Sequence, residues 1–222
     1  MPELRLLIFD RNYSSWSMRA GLALRLTGAR FEEVAYQTAD ADTQAALKRR
    51  SPSGLFPVLE HGDLRVWDSL AIIEYLAELF PAAGLWPSDA TARAAARAIS
   101  AEMHSGFPSI RQQMPMNIRA RYPRFPRPPE LTPQIERLRA AWRDCRRRRG
   151  QDGPYLFGAF GAADCIYAPM VMRMRTYDVE LDPICEAYVR AVEAHPAVAD
   201  WVGQAQVEPY SNDRYDLITR GG

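Results

Sequence analysis

The chain has 222 residues, 47% hydrophobic and 25% charged, with 28 basic side chains against 27 acidic and a formal net charge of +1. That length buries a core as one large or two small domains, and the near balance of charge provides no field favouring nucleic acid or an anionic membrane. No apolar run approaches the roughly 20 residues of a membrane span, the N-terminus lacks a signal-peptide pattern and so predicts a cytoplasmic location, and Cys145, Cys165 and Cys185 show no C-x-x-C spacing, which argues against a disulfide framework, a zinc site or a thioredoxin-type redox pair.

In chain order, Glu3 to Phe9 alternates into an apolar run and reads as a strand. A polar loop follows, then a helical pattern from Trp16 to Leu26 with Met18, Leu22 and Leu26 on one stripe and Gly28 as its C-cap. Phe31 to Tyr36 is a second strand and Ala39 to Arg50 a short polar helix. Phe56 to Glu60 and Leu64 to Trp67 form a hairpin over His61-Gly62-Asp63. Asp68 opens a helix with Leu70, Ile73, Leu76 and Phe80 facing a core, ended by Pro81. This β-α-β-α-β-β-α order is that of an α/β thioredoxin-like domain over residues 1–81. From Asp89 the pattern is all-α: helices over 89–114, 132–149, 162–177, 183–194 and 198–205, with a proline-rich linker from Tyr122 to Pro133. The helical domain runs over 89–210 and leaves a C-terminal tail at 211–222.

Two stretches carry chemistry. Ser51-Pro52-Ser53-Gly54-Leu55-Phe56-Pro57-Val58 is a loop held extended by Pro57, followed by a helix opened by Asp68 and Ser69. An extended segment pairs with a peptide ligand's backbone as a strand would. A helix start offers unpaired N–H groups and a positive dipole end to a carboxylate. The second stretch, Asn12-Tyr13-Ser14-Ser15-Trp16-Ser17-Met18-Arg19, puts two hydroxyls at a helix start. Such hydroxyls usually serve as an N-cap. Their functional reading is a hydrogen bond to a bound thiolate, since a donor at a helix N-terminus lowers a thiol's pKa.

Ser14-Ser15-Trp16-Ser17-x-Arg19 resembles the Ser-Ser-Cys-Ser-x-Arg signature of zeta-class glutathione transferases, and Ser69-Leu70-Ala71-Ile72-Ile73-Glu74-Tyr75-Leu76 is also as found there. The resemblance covers both domains and is strong in the first 80 residues. It implies a glutathione transferase, with glutathione as cosubstrate, a small electrophile as second substrate, no metal, and a homodimer pairing the first domain of one chain with the second of the other. Position by position, it makes Ser14 the residue that contacts the glutathione sulfur, with Ser15 next to it; which of the two catalytic candidates activates the thiol stays open, Ser15 counting for less if it mainly caps the helix. Phe56 pairs with the cysteinyl unit ahead of a cis Pro57, and Asp68 and Ser69 hold the γ-glutamyl end. Trp16 replaces the signature's Cys and removes a second sulfur from the site. The class's substrate-binding Arg is matched by Thr176, with Arg173 and Arg175 expected on other faces of that helix. Another glutathione chemistry, isomerisation or peroxide reduction, stays open on the same site, as does a non-catalytic interaction protein.

In the helical domain, Met103, Phe107, Arg111 and Gln112, with Met114 and Met116, are expected to line a substrate pocket, although such stripes are more often plain core. Arg111 reads either as the partner of an acidic substrate or of the glutathione glycine carboxylate, or as a solvated salt-bridging residue. His104 reads as a packed or surface histidine. Gly161 and Asp164 resemble the family's capping box and carry a folding role. Arg146-Arg147-Arg148-Arg149 reads as the basic last turn of a helix, closed by Gly150.

Overall fold

The computed structural model describes residues 3–37, 41–212, 215 and 216; positions 39 and 40 of the second predicted helix and most of the predicted tail lie outside the described residues. Four strands, β1 (Leu4–Phe9), β2 (Phe31–Tyr36), β3 (Val58–His61) and β4 (Leu64–Trp67), form a sheet in the order β2-β1-β3-β4. β1 and β2 run parallel, Leu4 opposite Phe31, while β3 pairs antiparallel with both β1 and β4. Successive side chains of a strand point to opposite faces, and β1 follows the rule. Leu4, Leu6 and Ile8 join the core with α1 (Ser15–Leu26) and α3 (Ser69–Leu79). Leu7 faces the other way and packs with Ala46, Leu47, Phe56 and Val58, under α2 (Ala41–Arg50).

The remainder is helical: α4 (Ala90–Ser105), α5 (Pro108–Gln113), α6 (Leu131–Arg149), α7 (Ala162–Thr176), α8 (Pro183–Ala194) and α9 (Pro196–Val207). The continuous helix expected over 89–114 is broken. Pro108 disfavours helical backbone at the residue before it, and Phe107 takes a left-handed φ of 60°. α7 is buried almost throughout and packs on α1, so these two helices join the halves. α9 reaches the same seam through Trp201, whose ring lies so close to Gly21 that an added Cβ would sit 2.3 Å away. Only glycine admits that approach.

The capping box forms as read. The Gly161 N–H donates to Asp164 Oδ2 at 3.0 Å and the Leu156 N–H to Oδ1 at 3.1 Å. Burial pushes the Asp164 carboxyl up to about 6 against these bonds. The basic run is the last turn of α6, and the Gly150 N–H closes it onto the Arg146 carbonyl.

Candidate functional site

A cavity of about 920 Å³ opens between the carboxyl end of β1, the amino end of β3 and the helical half. On the sheet side it is walled by Ser14, Ser15, Phe56, Pro57, Asp68 and Ser69, so the two sequence stretches converge. The Phe56–Pro57 bond is cis, and the Phe56 ring is buried against Tyr36 at 4.8 Å and Phe9 at 5.2 Å.

At the start of α3, Asp68 is the N-cap. Its Oδ1 accepts from the Leu70 and Ala71 N–H groups at 2.8 and 3.3 Å. Its other oxygen lies 3.2 Å from His104 Nε2 of α4. Burial, helped by the Arg19 and Arg111 charges and opposed by Asp68, holds the His104 pKa below its ordinary value. Beside Asp68, Ser69 is 1% exposed, and its hydroxyl has no partner among the described residues. Buried polar groups are rarely left so, and this one faces the cavity at a helix N-terminus.

At the start of α1 the cap is supplied by Ser14 and not by Ser15. Ser14 is the N-cap: its oxygen accepts from the Ser17 N–H at 3.3 Å and its hydroxyl lies 2.7 Å from Ser17 Oγ. Ser15 is already inside the helix and its hydroxyl does not cap it; it lies 3.5 Å from Arg173 Nη2.

The helical side departs further from expectation. Met103 and Phe107 are buried in the core and do not line the cavity; Met114 is buried likewise, and Gln112 is exposed outside it. The helix break at Phe107 redirects everything after it. Arg111 does line the cavity, its guanidinium held by the carbonyls of Gly106, His104 and Met103. Met116 lines it too. Arg173, expected on another face of its helix, points in beside them. Residues three apart on a helix are neighbours, so Arg173 shares the face of Thr176, the position that the resemblance matches to the class's Arg; that spacing was the available signal. Its Nε and Nη1 donate to the carbonyls of Met114 and Pro169 at 2.8 and 3.1 Å. Burial, reinforced by Arg111, lowers its pKa to about 9.

A third guanidinium, Arg19, is wholly buried, and none of its three nitrogens has a hydrogen-bond partner among the described residues. It lies over the Trp16 ring at 4.4 Å, with Arg111 5.0 Å from the same ring. Among the described residues no group of three or more His, Cys, Asp or Glu is placed to hold a metal ion, and no helix is long and apolar enough to cross a membrane.

Residues 13–79 match the family model described as the glutathione S-transferase N-terminal domain, and residues 89–203 match that of the C-terminal domain. The chain belongs to the glutathione S-transferase family. Among curated relatives, it is 42% identical over 89 residues to glutathione S-transferase 1 of Dianthus caryophyllus, covering 39% of this chain and 40% of that one. It is 39% identical over 99 residues to maleylacetoacetate isomerase of Rhizobium meliloti, covering 42% and 44%. The matched region thus spans less than half the length of these relatives. Among solved structures, a glutathione transferase homolog from Burkholderia GL BGR1 with bound glutathione superposes at a TM-score of 0.70, with 24% identity, over 93% of this chain and 99% of that one. A maleyl pyruvate isomerase, titled a bacterial glutathione S-transferase in zeta class, gives the same TM-score and identity over 93% and 100%. At that identity the two structures speak for the fold, which this member of the family shares.

Proposed function

We propose that this glutathione S-transferase binds glutathione in the cavity and activates its thiol for attack on a small electrophilic carbon. The observation that carries the reading is the buried, unpartnered Ser69 hydroxyl at the start of α3, facing a cavity whose sheet-side wall also holds the serine pair. A γ-glutamyl carboxylate there accepts from Ser69 and meets the positive end of the helix. Asp68 takes the ammonium group, the backbone at Phe56 pairs with the cysteinyl unit, and the sulfur comes to the start of α1. The two domains divide at residues 1–81 and 89–210, with a tail at 211–222. As in the resemblance, the protein would work in the cytoplasm, in detoxification, as a homodimer; the exposed Leu55, Leu64 and Trp67 support a further apolar contact. Calorimetric titration with glutathione, followed by a panel of aryl halides, epoxides, hydroperoxides and unsaturated acids, tests the reading. No heat and no turnover would leave the non-catalytic alternative.

A second reading is favoured by one observation. Arg111 and Arg173 both reach the cavity, and neither forms an ion pair with a carboxylate among the described residues. A carboxylate-bearing electrophile fits between them, which suits isomerisation of an unsaturated keto acid of the kind the isomerase relatives' names indicate. Turnover of such acids, with aryl halides inert, would select it.

A further inference from the structure

We infer that Ser15, not Ser14, gives the hydrogen bond to the glutathione sulfur, and that Arg173, from the other half of the molecule, is the positioning residue that leaves the Ser15 proton free to do so. This rests on the reading of the cavity as a glutathione site.

A hydroxyl has one proton to donate and lone pairs to accept with. The Ser14 proton is directed at Ser17 Oγ, 2.7 Å away, while its oxygen receives the Ser17 N–H. Ser17 is itself fixed, its oxygen accepting from the Phe9 N–H at 3.0 Å. Freeing the Ser14 proton would give up its bond to Ser17 Oγ. Ser15 is differently placed. It is buried, lines the cavity, and its oxygen faces Arg173 Nη2 at 3.5 Å. A guanidinium only donates, so Ser15 accepts from it and keeps its own proton for the cavity. A cationic donor on that oxygen also strengthens the bond the hydroxyl gives.

Arg173 is well anchored for this, with two of its three nitrogens held by backbone carbonyls. The groups whose charges act on Arg173 are Arg111 on α5, Arg19 on α1, Tyr177 after α7 and Tyr215 near the C-terminus. Asp68, at the start of α3, is the carboxylate that offsets Arg19. Three guanidiniums against one carboxylate favour an anionic sulfur.

The experiment follows the ultraviolet absorbance of the bound thiolate against pH in wild type, Ser14→Ala, Ser15→Ala, Arg173→Gln, Arg173→Lys and the Ser15→Ala/Arg173→Gln double variant. Glutathione affinity is measured by calorimetry alongside, and folding by circular dichroism. Ser15→Ala should raise the bound thiol's pKa by about one unit, roughly a tenfold loss of thiolate well below that pKa. Arg173→Gln should raise it similarly, Arg173→Lys by less, and the double variant no further than Ser15→Ala alone, because the two act through one hydroxyl. Ser15→Ala removes a single oxygen and keeps the test alive should Arg173→Gln fail to fold. A larger shift in Ser14→Ala than in Ser15→Ala overturns the inference, as does a wild-type shift that Ser15→Ala leaves intact; both spare the glutathione reading. A wild type that binds no glutathione, or binds it without lowering its thiol pKa, overturns the inference together with thiol activation.

Discussion

The starts of α3 and α7 use the same device for opposite ends. At α7, Asp164 is buried and both of its oxygens take backbone N–H groups, so the helix start is satisfied within the protein. At α3, Asp68 is itself the N-cap and takes the Leu70 and Ala71 N–H groups, yet the next side chain, Ser69, is buried with its hydroxyl unpartnered among the described residues. One start is closed and belongs to the core. The other is left incomplete where the cavity meets it. A satisfied polar group contributes to folding, and an unsatisfied one at a cavity wall is free to bond what enters the cavity. Stability and affinity should therefore separate between the two sites.

The largest expected effect is on the closed start. Asp164→Ala orphans the Leu156 and Gly161 N–H groups, and a buried donor left unmade costs about 1–3 kcal/mol, so a loss of about 3 kcal/mol is expected in denaturant unfolding. A midpoint equal to wild type would end the contrast. At the open start, Ser69→Ala should weaken glutathione binding by roughly 1.5–3 kcal/mol, about ten- to a hundredfold, as for hydrogen bonds to charged groups. Unliganded stability should hold or rise slightly, because the substitution removes an orphan. Calorimetry and thermal unfolding together check this, and a drop in stability with unchanged affinity would reverse the assignment.

The pH dependence sharpens the comparison. The folded Asp164 carboxyl titrates at about 6, above its ordinary 3.8. The folded state therefore holds this proton more tightly than the unfolded chain, and the contribution of the group to stability is fully present below about pH 4 and lost as the pH rises through about 6. Wild type measured against Asp164→Asn should show its greatest relative stability near pH 4 and lose on the order of 2 kcal/mol by neutrality. A difference that stays flat, or grows with pH, would contradict the burial effect. The smallest expected effect lies at the start of α1: Ser14→Ala removes the cap on the Ser17 N–H and should cost about 1 kcal/mol, read as a lowered unfolding midpoint.

The sequence alone was enough for the parts built by neighbours in the chain. Strand alternation, the cap residues Asp68, Asp164 and Gly161, and the Pro57 loop all act over a few residues, so their types and spacing reveal them. The order of sheet and helices, the family, and the sheet-side wall of the cavity follow from such signals. Pro108 carried a local signal as well, and its effect on the residue before it accounts for the break of the 89–114 helix.

Tertiary structure decided what depends on residues far apart meeting. Which of two adjacent serines caps turns on the helix beginning at Ser15, and what stands against the other turns on Arg173, 158 positions away. The chain also holds many arginines, and nothing local marks Arg19, Arg111 and Arg173 as the three that lie close enough to act on one another's charge. Met103 and Phe107 share the periodic apolar stripe that either a core or a pocket would show, and packing assigned them to the core. A side chain's spacing states what it is able to pair with. Only the assembled fold states what stands opposite, and burial then sets how strongly the pairing is felt.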